Sequence, residues 1–184
     1  LVSCYLLDIS DNLESINYVM NSAMQMSKAG GGVGINLTKL RARGEAIKDV
    51  ENRASGVLPP SKVFEDIFSY INQLGQRSGS GVVHLSIFHN DIEEFINSKK
   101  VNADEKLRLK TLSTAVVIPD KFMEILKDNS TKYYYTFYPK NVFDVTGVEL
   151  DSMDMTEWYG KLVENKEIRK TQRDKLKLVQ EIIR

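Results

Sequence analysis

The sequence predicts an α/β fold of about five mostly parallel strands alternating with helices. A short apolar stretch from Ser3 to Leu7 leads into a helical pattern and then a glycine-lined run, Gly30 to Asn36. Strand, helix and strand in that order favour a parallel βαβ unit. Strand-like runs recur at Val82 to Ile87, Leu112 to Ile118 and Tyr133 to Tyr138, with helical patterns between them. The Leu112 to Ile118 run is almost continuously apolar, as a strand covered on both faces would be.

Each element has its own signal. For the first helix, Asp11 or Ser10 is the expected cap, with Glu14 three residues after Asp11. Leu13, Ile16, Met20, Ala23 and Met24 form its expected apolar face, and Gly30 its stop. Leu37 to Asn52 is polar, turns near Gly44, and carries Arg41, Arg43 and Lys48. It reads as a solvated loop, with a phosphate-facing loop as the alternative. After the break at Gly56 to Pro60, Pro60 or Ser61 opens a helix facing inward through Val63, Phe64, Ile67, Tyr70, Ile71 and Leu74. Gln76 to Gly81 is a glycine-rich loop. Asn90 or Asp91 caps a short helix to about Lys99, and Val101 to Lys110 is a charged crossover. Pro119-Asp120 opens another helix to about Lys127. Asn141 to Glu149 reads as a loop, and residues 156–184 as two charged outer helices.

Bulk properties exclude some classes. With 184 residues, 42% apolar and 27% charged, the chain suits one soluble globular domain. Zero net charge gives no global pull towards nucleic acid or membrane. The eight basic and four acidic residues from Lys161 onward read as a solvated face. A single cysteine forms no internal disulfide and fits a reducing cytoplasm. Leu1 enters a strand at once and Arg184 falls within a helical pattern, which predicts an excised piece of a longer protein.

Few residues invite chemistry. A lone cysteine in an apolar strand, Cys4, reads as a buried inert thiol on its residues alone. His84 and His89 lack metal-site spacing and read as structural, and no metal site is expected. The glycines at 30–34 precede a strand instead of opening a helix, so they are not the dinucleotide fingerprint. They read as close packing or as bare backbone open to a ligand. Asp91, Glu93 and Glu94 read as an ordinary acidic first turn, and the tyrosines at 133–135 as the core and rim of a strand.

Longer motifs carry more. Ser3 to Ile16, Lys28 to Asn36, Leu40 to Gly44, Asn72 to Arg77 and Lys110 to Ser113 together resemble the catalytic barrel of ribonucleotide reductase large subunits, most closely the class Ib aerobic bacterial type. The resemblance implies the first half of a ten-stranded α/β barrel, as one partial domain over 1–184. It implies radical-based reduction of ribonucleoside diphosphates, with Cys4 as one of two redox cysteines that end as a disulfide. Ser3, Cys4 and Gly32 match substrate contacts. Asp11, Arg41 and Lys48 match an allosteric site for ATP or deoxynucleotide effectors. Gln76, Arg77 and Ser78 match the loop that relays effector identity, although Ser78 and Ser80 replace the expected Gln and Ala.

The implied partners are a second copy, a small subunit holding a metal-tyrosyl radical, and a thioredoxin-like or glutaredoxin-like reductant. This segment itself is expected to bind no cofactor. The radical cysteine and the second redox cysteine have no counterpart here, so the isolated chain is expected to be inactive. An open half barrel would also expose sheet edges and an apolar face, favouring association. The alternative reading is a non-catalytic nucleotide-binding or dimerisation module.

Overall fold

The structure, a computed structural model, describes residues 3–71 and 79–183. Its centre is a parallel sheet of β1 (Cys4–Asp8), β2 (Gly32–Asn36), β3 (Gly81–Ser86) and β4 (Ser113–Val117), in the spatial order β1-β2-β3-β4. Strand order equals chain order, so every crossover steps the same way. The sheet therefore has no point of reversal such as doubly wound folds use for their ligands. Cys4 pairs with Gly32 and Asp8 with Asn36, while Val33 opposes Gly81 and Val82 opposes Ser113.

Helices α1 (Leu13–Lys28), α2 (Leu58–Tyr70) and α3 (Ile92–Asn97) follow β1, β2 and β3. Val33, Ile35, Val83, Leu85 and Ile87 are buried in the core that the helices close. In β1 burial alternates. Tyr5 and Leu7 are half-buried, whereas Cys4, Leu6 and Asp8 share the exposed face.

Several local expectations are corrected. Asn12 caps α1, accepting from the Ser15 amide at 2.8 Å, because the Asp11 carboxylate is engaged elsewhere. The inward face runs through Ile16, Val19, Met20, Ala23 and Ser27, and Leu13 is 83% exposed. Gly30 ends the helix at φ 95°, as expected. α2 starts at Leu58, with its prolines in the first turn. It buries Ser61, Phe64, Glu65 and Phe68, leaving Val63 and Tyr70 outside. A reading of apolar positions alone rotates that stripe, because two inward residues are polar. α3 ends at Asn97, and Asp91 makes no side-chain cap bond. β4 is the last strand of its sheet and only half-buried, where cover on both faces was expected.

The fifth strand departs most. After α4 (Asp120–Lys127), β5 (Tyr133–Phe137) leaves the parallel sheet and pairs antiparallel with β6 (Lys170–Asp174). One parallel bridge, His89 to Phe137, joins it to the chain after β3. Buried Tyr134 donates its hydroxyl to the Ile87 carbonyl at 3.1 Å and meets Phe88 and Phe122 edge-on. Those aromatic contacts hold β5 against the end of β3. Where a loop was expected, α5 (Pro139–Thr146) begins with proline and stops at Gly147, φ 73°. A 3-10 turn at Leu150–Ser152 precedes α6 (Met155–Glu164), and β6 separates α6 from α7 (Lys175–Ile183). Among the described residues no helix is long and apolar enough to cross a membrane.

Candidate functional site

Two groups of expected site residues lie at opposite ends of β1. At its amino end, the Gly32 amide donates to the Ser3 carbonyl at 2.8 Å, and Cys4 faces Gly32 across the ladder. The Ser3 hydroxyl lies 3.9 Å from the Cys4 sulfur. Cys4 is exposed, which corrects the expectation of a buried inert thiol. The reason is the strand's alternation, which turns Cys4 to the same side as Leu6, itself 86% exposed. Among the described residues, a side chain at Gly32 would touch only the Ser3 carbonyl and Ser80 hydroxyl, at 3.8 and 3.9 Å. The backbone there is open as well as bare. Further along the same face, Leu6, Asp8, Gly34, Asn36, His84 and Val117 line a shallow cleft of 380 Å³.

At the carboxyl end, Asp11 and Arg41 come together. The Arg41 Nε donates to Asp11 Oδ2 at 2.8 Å, and Arg41 Nη2 donates to the Asp11 carbonyl at 3.3 Å. Burial raises the Asp11 pKa, and the Arg41 amide and guanidinium oppose that rise. Lys140 on α5 adds positive charge nearby, a contribution no local sequence signal marks. Lys48 sits on the exposed turn closed by the Ile47–Val50 bridge, with φ 48°, and no hydrogen bond or ion pair joins it to Asp11 or Arg41. Gln76, Arg77 and Ser78 lie outside the described residues.

The loop carrying Arg41 is held by groups that sequence reasoning passed over. Asp91, read as part of an acidic first turn, accepts from the Arg43 amide at 3.0 and 3.1 Å and from the Val57 amide at 3.1 Å. Buried His89 accepts the Asp91 amide on Nδ1 at 3.0 Å, so Nε2 carries the proton and donates to the Leu40 carbonyl at 2.9 Å. Burial lowers the His89 pKa and keeps the ring neutral, a structural role as expected. Buried Glu45 accepts from the Ala42 and Asn141 amides, and its pKa is raised by burial. Lys39 bridges Asp8 at 2.7 Å and Asp151 at 3.8 Å. Among the described residues no group of three or more His, Cys, Asp or Glu is placed to hold a metal ion.

Comparison with known proteins gives these positions a context. Residues 2–184 match the family described as ribonucleotide reductase, barrel domain. Over 182 residues the chain is 49% identical to the ribonucleoside-diphosphate reductase NrdEB subunit alpha of Bacillus subtilis (strain 168), covering 99% of this chain and 17% of that protein. It is 48% identical over 182 residues to the ribonucleoside-diphosphate reductase subunit alpha of the same organism, covering 99% of this chain and 26% of that protein. The subunit alpha of Mycoplasma genitalium is 45% identical over 170 residues, covering 92% of this chain and 23% of that protein. The chain thus spans a quarter or less of the length of most of these relatives. With the family match running from residue 2 to the last residue, over an α/β fold of sequential parallel strands, this chain belongs to the ribonucleotide reductase barrel-domain family.

Proposed function

We propose that the chain is the first half of the catalytic barrel of a class Ib ribonucleoside-diphosphate reductase large subunit. The exposed Cys4 thiol carries this reading, set in register with Gly32 on the open face of the sheet and beside the Ser3 hydroxyl. A thiol in that position meets substrate from solvent, and bare backbone leaves room for a ribose.

In this reading Cys4 and a second cysteine from the rest of the protein give up two electrons and two protons. The 2′-hydroxyl of the ribonucleoside diphosphate leaves as water, hydrogen takes its place, and the two thiols become a disulfide. A thioredoxin-like or glutaredoxin-like reductant restores the thiols by exchange. The radical that starts the reaction comes from the metal-tyrosyl small subunit and is not held by this chain. Asp11 and Arg41 form an effector site, the carboxylate taking a ribose hydroxyl and the guanidinium a phosphate. In the same reading Lys48 supplies charge for effector phosphate, and Gln76, Arg77 and Ser78 relay effector identity to the substrate pocket.

The test uses the full-length subunit with its radical subunit and reductant. Cys4→Ser abolishes multiple-turnover reduction while deoxythymidine triphosphate still binds. Turnover by that variant at the wild-type rate would remove Cys4 from the chemistry. The alternative, a dimerisation or nucleotide-binding module without catalysis, draws on Leu13 and Tyr18, exposed on α1. It predicts that Cys4→Ser changes nothing.

A further inference from the structure

We propose that Glu45 is a positioning residue: with Arg169 it clamps the loop carrying Arg41 onto α5 and so sets where Arg41 meets the phosphates of a bound deoxyribonucleoside triphosphate. This rests on the effector reading of Asp11 and Arg41 given above.

Glu45 is 3% exposed. A carboxylate taken that far from water is tolerated only with its oxygens hydrogen-bonded. Oε2 accepts from the Ala42 amide at 2.6 Å, and Oε1 accepts from the Asn141 amide at 2.9 Å. The first bond fixes the residue directly after Arg41. The second reaches the first turn of α5, where helical amides lack partners of their own. The chain around Glu45 is equally tied. Its amide donates to the Ala42 carbonyl, and its carbonyl accepts from the Ala54 amide, at 3.2 and 3.0 Å.

Arg41 leans on the same structure. Its Nη1 donates to the Ala46 carbonyl at 2.7 Å, the residue after Glu45. Nε and Nη2 are turned to Asp11. A guanidinium has five N–H groups, and three side-chain bonds leave two for an anion. Their direction is set by Ala46 on one side and Asp11 on the other, so a shift of the 42–46 loop re-aims them.

A second tie joins the same two segments at the surface. Arg169 stacks on the Tyr138 ring at 4.1 Å and donates through Nη1 to the Gly44 carbonyl at 3.3 Å. Its amide donates to Asn141 Oδ1 at 2.6 Å, and Asn141 Nδ2 donates to the Glu167 carbonyl at 3.2 Å. The 139–169 segment thereby braces a loop about a hundred residues away in sequence, on both sides of its turn.

The test titrates deoxythymidine triphosphate into the full-length polypeptide by calorimetry, for wild type, Arg41→Ala, Glu45→Gln and the double variant. The amide of Gln keeps the size and one acceptor but sets NH2 against a backbone N–H. Glu45→Gln is expected to weaken binding about five- to tenfold, the loss of one charge-assisted bond. On the Arg41→Ala background the same change is expected to alter binding less than twofold, because Glu45 acts through Arg41. Arg169→Ala, a surface change, is expected to weaken binding about two- to threefold and likewise to add nothing to Arg41→Ala. Equal losses with and without Arg41, or wild-type binding by Glu45→Gln, would overturn the inference. Should Glu45→Gln not fold, unchanged binding by Arg169→Ala overturns it instead. Wild-type protein that binds no deoxythymidine triphosphate removes the effector site, and the clamp's role with it.

Discussion

Arg41 meets the Asp11 carboxylate twice: its backbone N–H donates to Oδ1 at 3.1 Å while its Nε donates to Oδ2 at 2.8 Å. One residue thus supplies both an amide and a cation to a single half-buried carboxylate. Burial pushes the Asp11 pKa up, and Arg41 opposes it. Because the folded value lies above the unfolded one, ionising Asp11 as pH rises between them costs stability. Arg41→Ala keeps the amide but removes the charge. It is expected to raise the Asp11 pKa further, read by carbon NMR of the carboxyl, and to cost about 1–2 kcal/mol at neutral pH. An Asp11 titration unmoved by Arg41→Ala would mean the pair does not persist in solution.

The exposed thiol gives a direct chemical readout. Cys4 is the sole cysteine of the chain, so each molecule should release one equivalent from a disulfide reagent without denaturant. Reaction is expected at the rate of an unhindered thiol. Labelling that appears only after unfolding would bury the sulfur and sink its assigned role.

Gly32 separates folding from binding. Among the described residues, an added Cβ there makes only ordinary contacts, at 3.8 Å and beyond. Gly32→Ala should therefore leave stability within about 0.5–1 kcal/mol of wild type, or slightly raise it. The methyl would still stand beside Cys4 on the open face, so the full-length enzyme should show a raised KM for ribonucleoside diphosphate. Gly81→Ala is the contrast. Its Cβ would run into the buried Phe68 ring, and the variant should lose about 1–3 kcal/mol in urea unfolding.

Glu65 makes acid stability predictable. Its carboxylate accepts from the Leu112 amide at 3.0 Å and the Thr111 hydroxyl at 3.2 Å, and pairs with Lys62. Burial alone would raise its pKa, but Lys62 and the backbone amides of Leu112 and Thr111 outweigh it and hold the group at about 2. A lowered folded pKa contributes stability in full above the ordinary value of 4.5, and that contribution is lost as pH falls towards about 2. Glu65→Gln should cost about 2–3 kcal/mol at pH near 7. The gap to wild type should close across that acid window in urea titrations. A gap independent of pH would show that the carboxylate's charge is not what joins α2 to β4.

The alternation of strands and helices, the parallel order of the first four strands and the stop at Gly30 were all legible in the residues, since periodicity, caps and glycine turns are local properties. Lys-Thr-Gln-Arg-Asp in β6 carries no such mark. It is a short strand paired on one side only, and nothing apolar alternates along it. The Pro139 and Gly147 signals that bound α5 were present but fell in a stretch too polar to read as helix.

The motifs that resemble the family named Cys4, Gly32, Asp11 and Arg41, yet spacing alone did not bring the last two together. Thirty residues separate Asp11 from Arg41, and ninety-six separate Glu45 from Asn141. Whether the Cys4 thiol faces solvent, which carboxylate receives Arg41, and where β5 turns depend on which distant segments meet. Burial and Coulomb interactions act through space, whereas the order of residues encodes directly only what lies within a few turns or strands of chain.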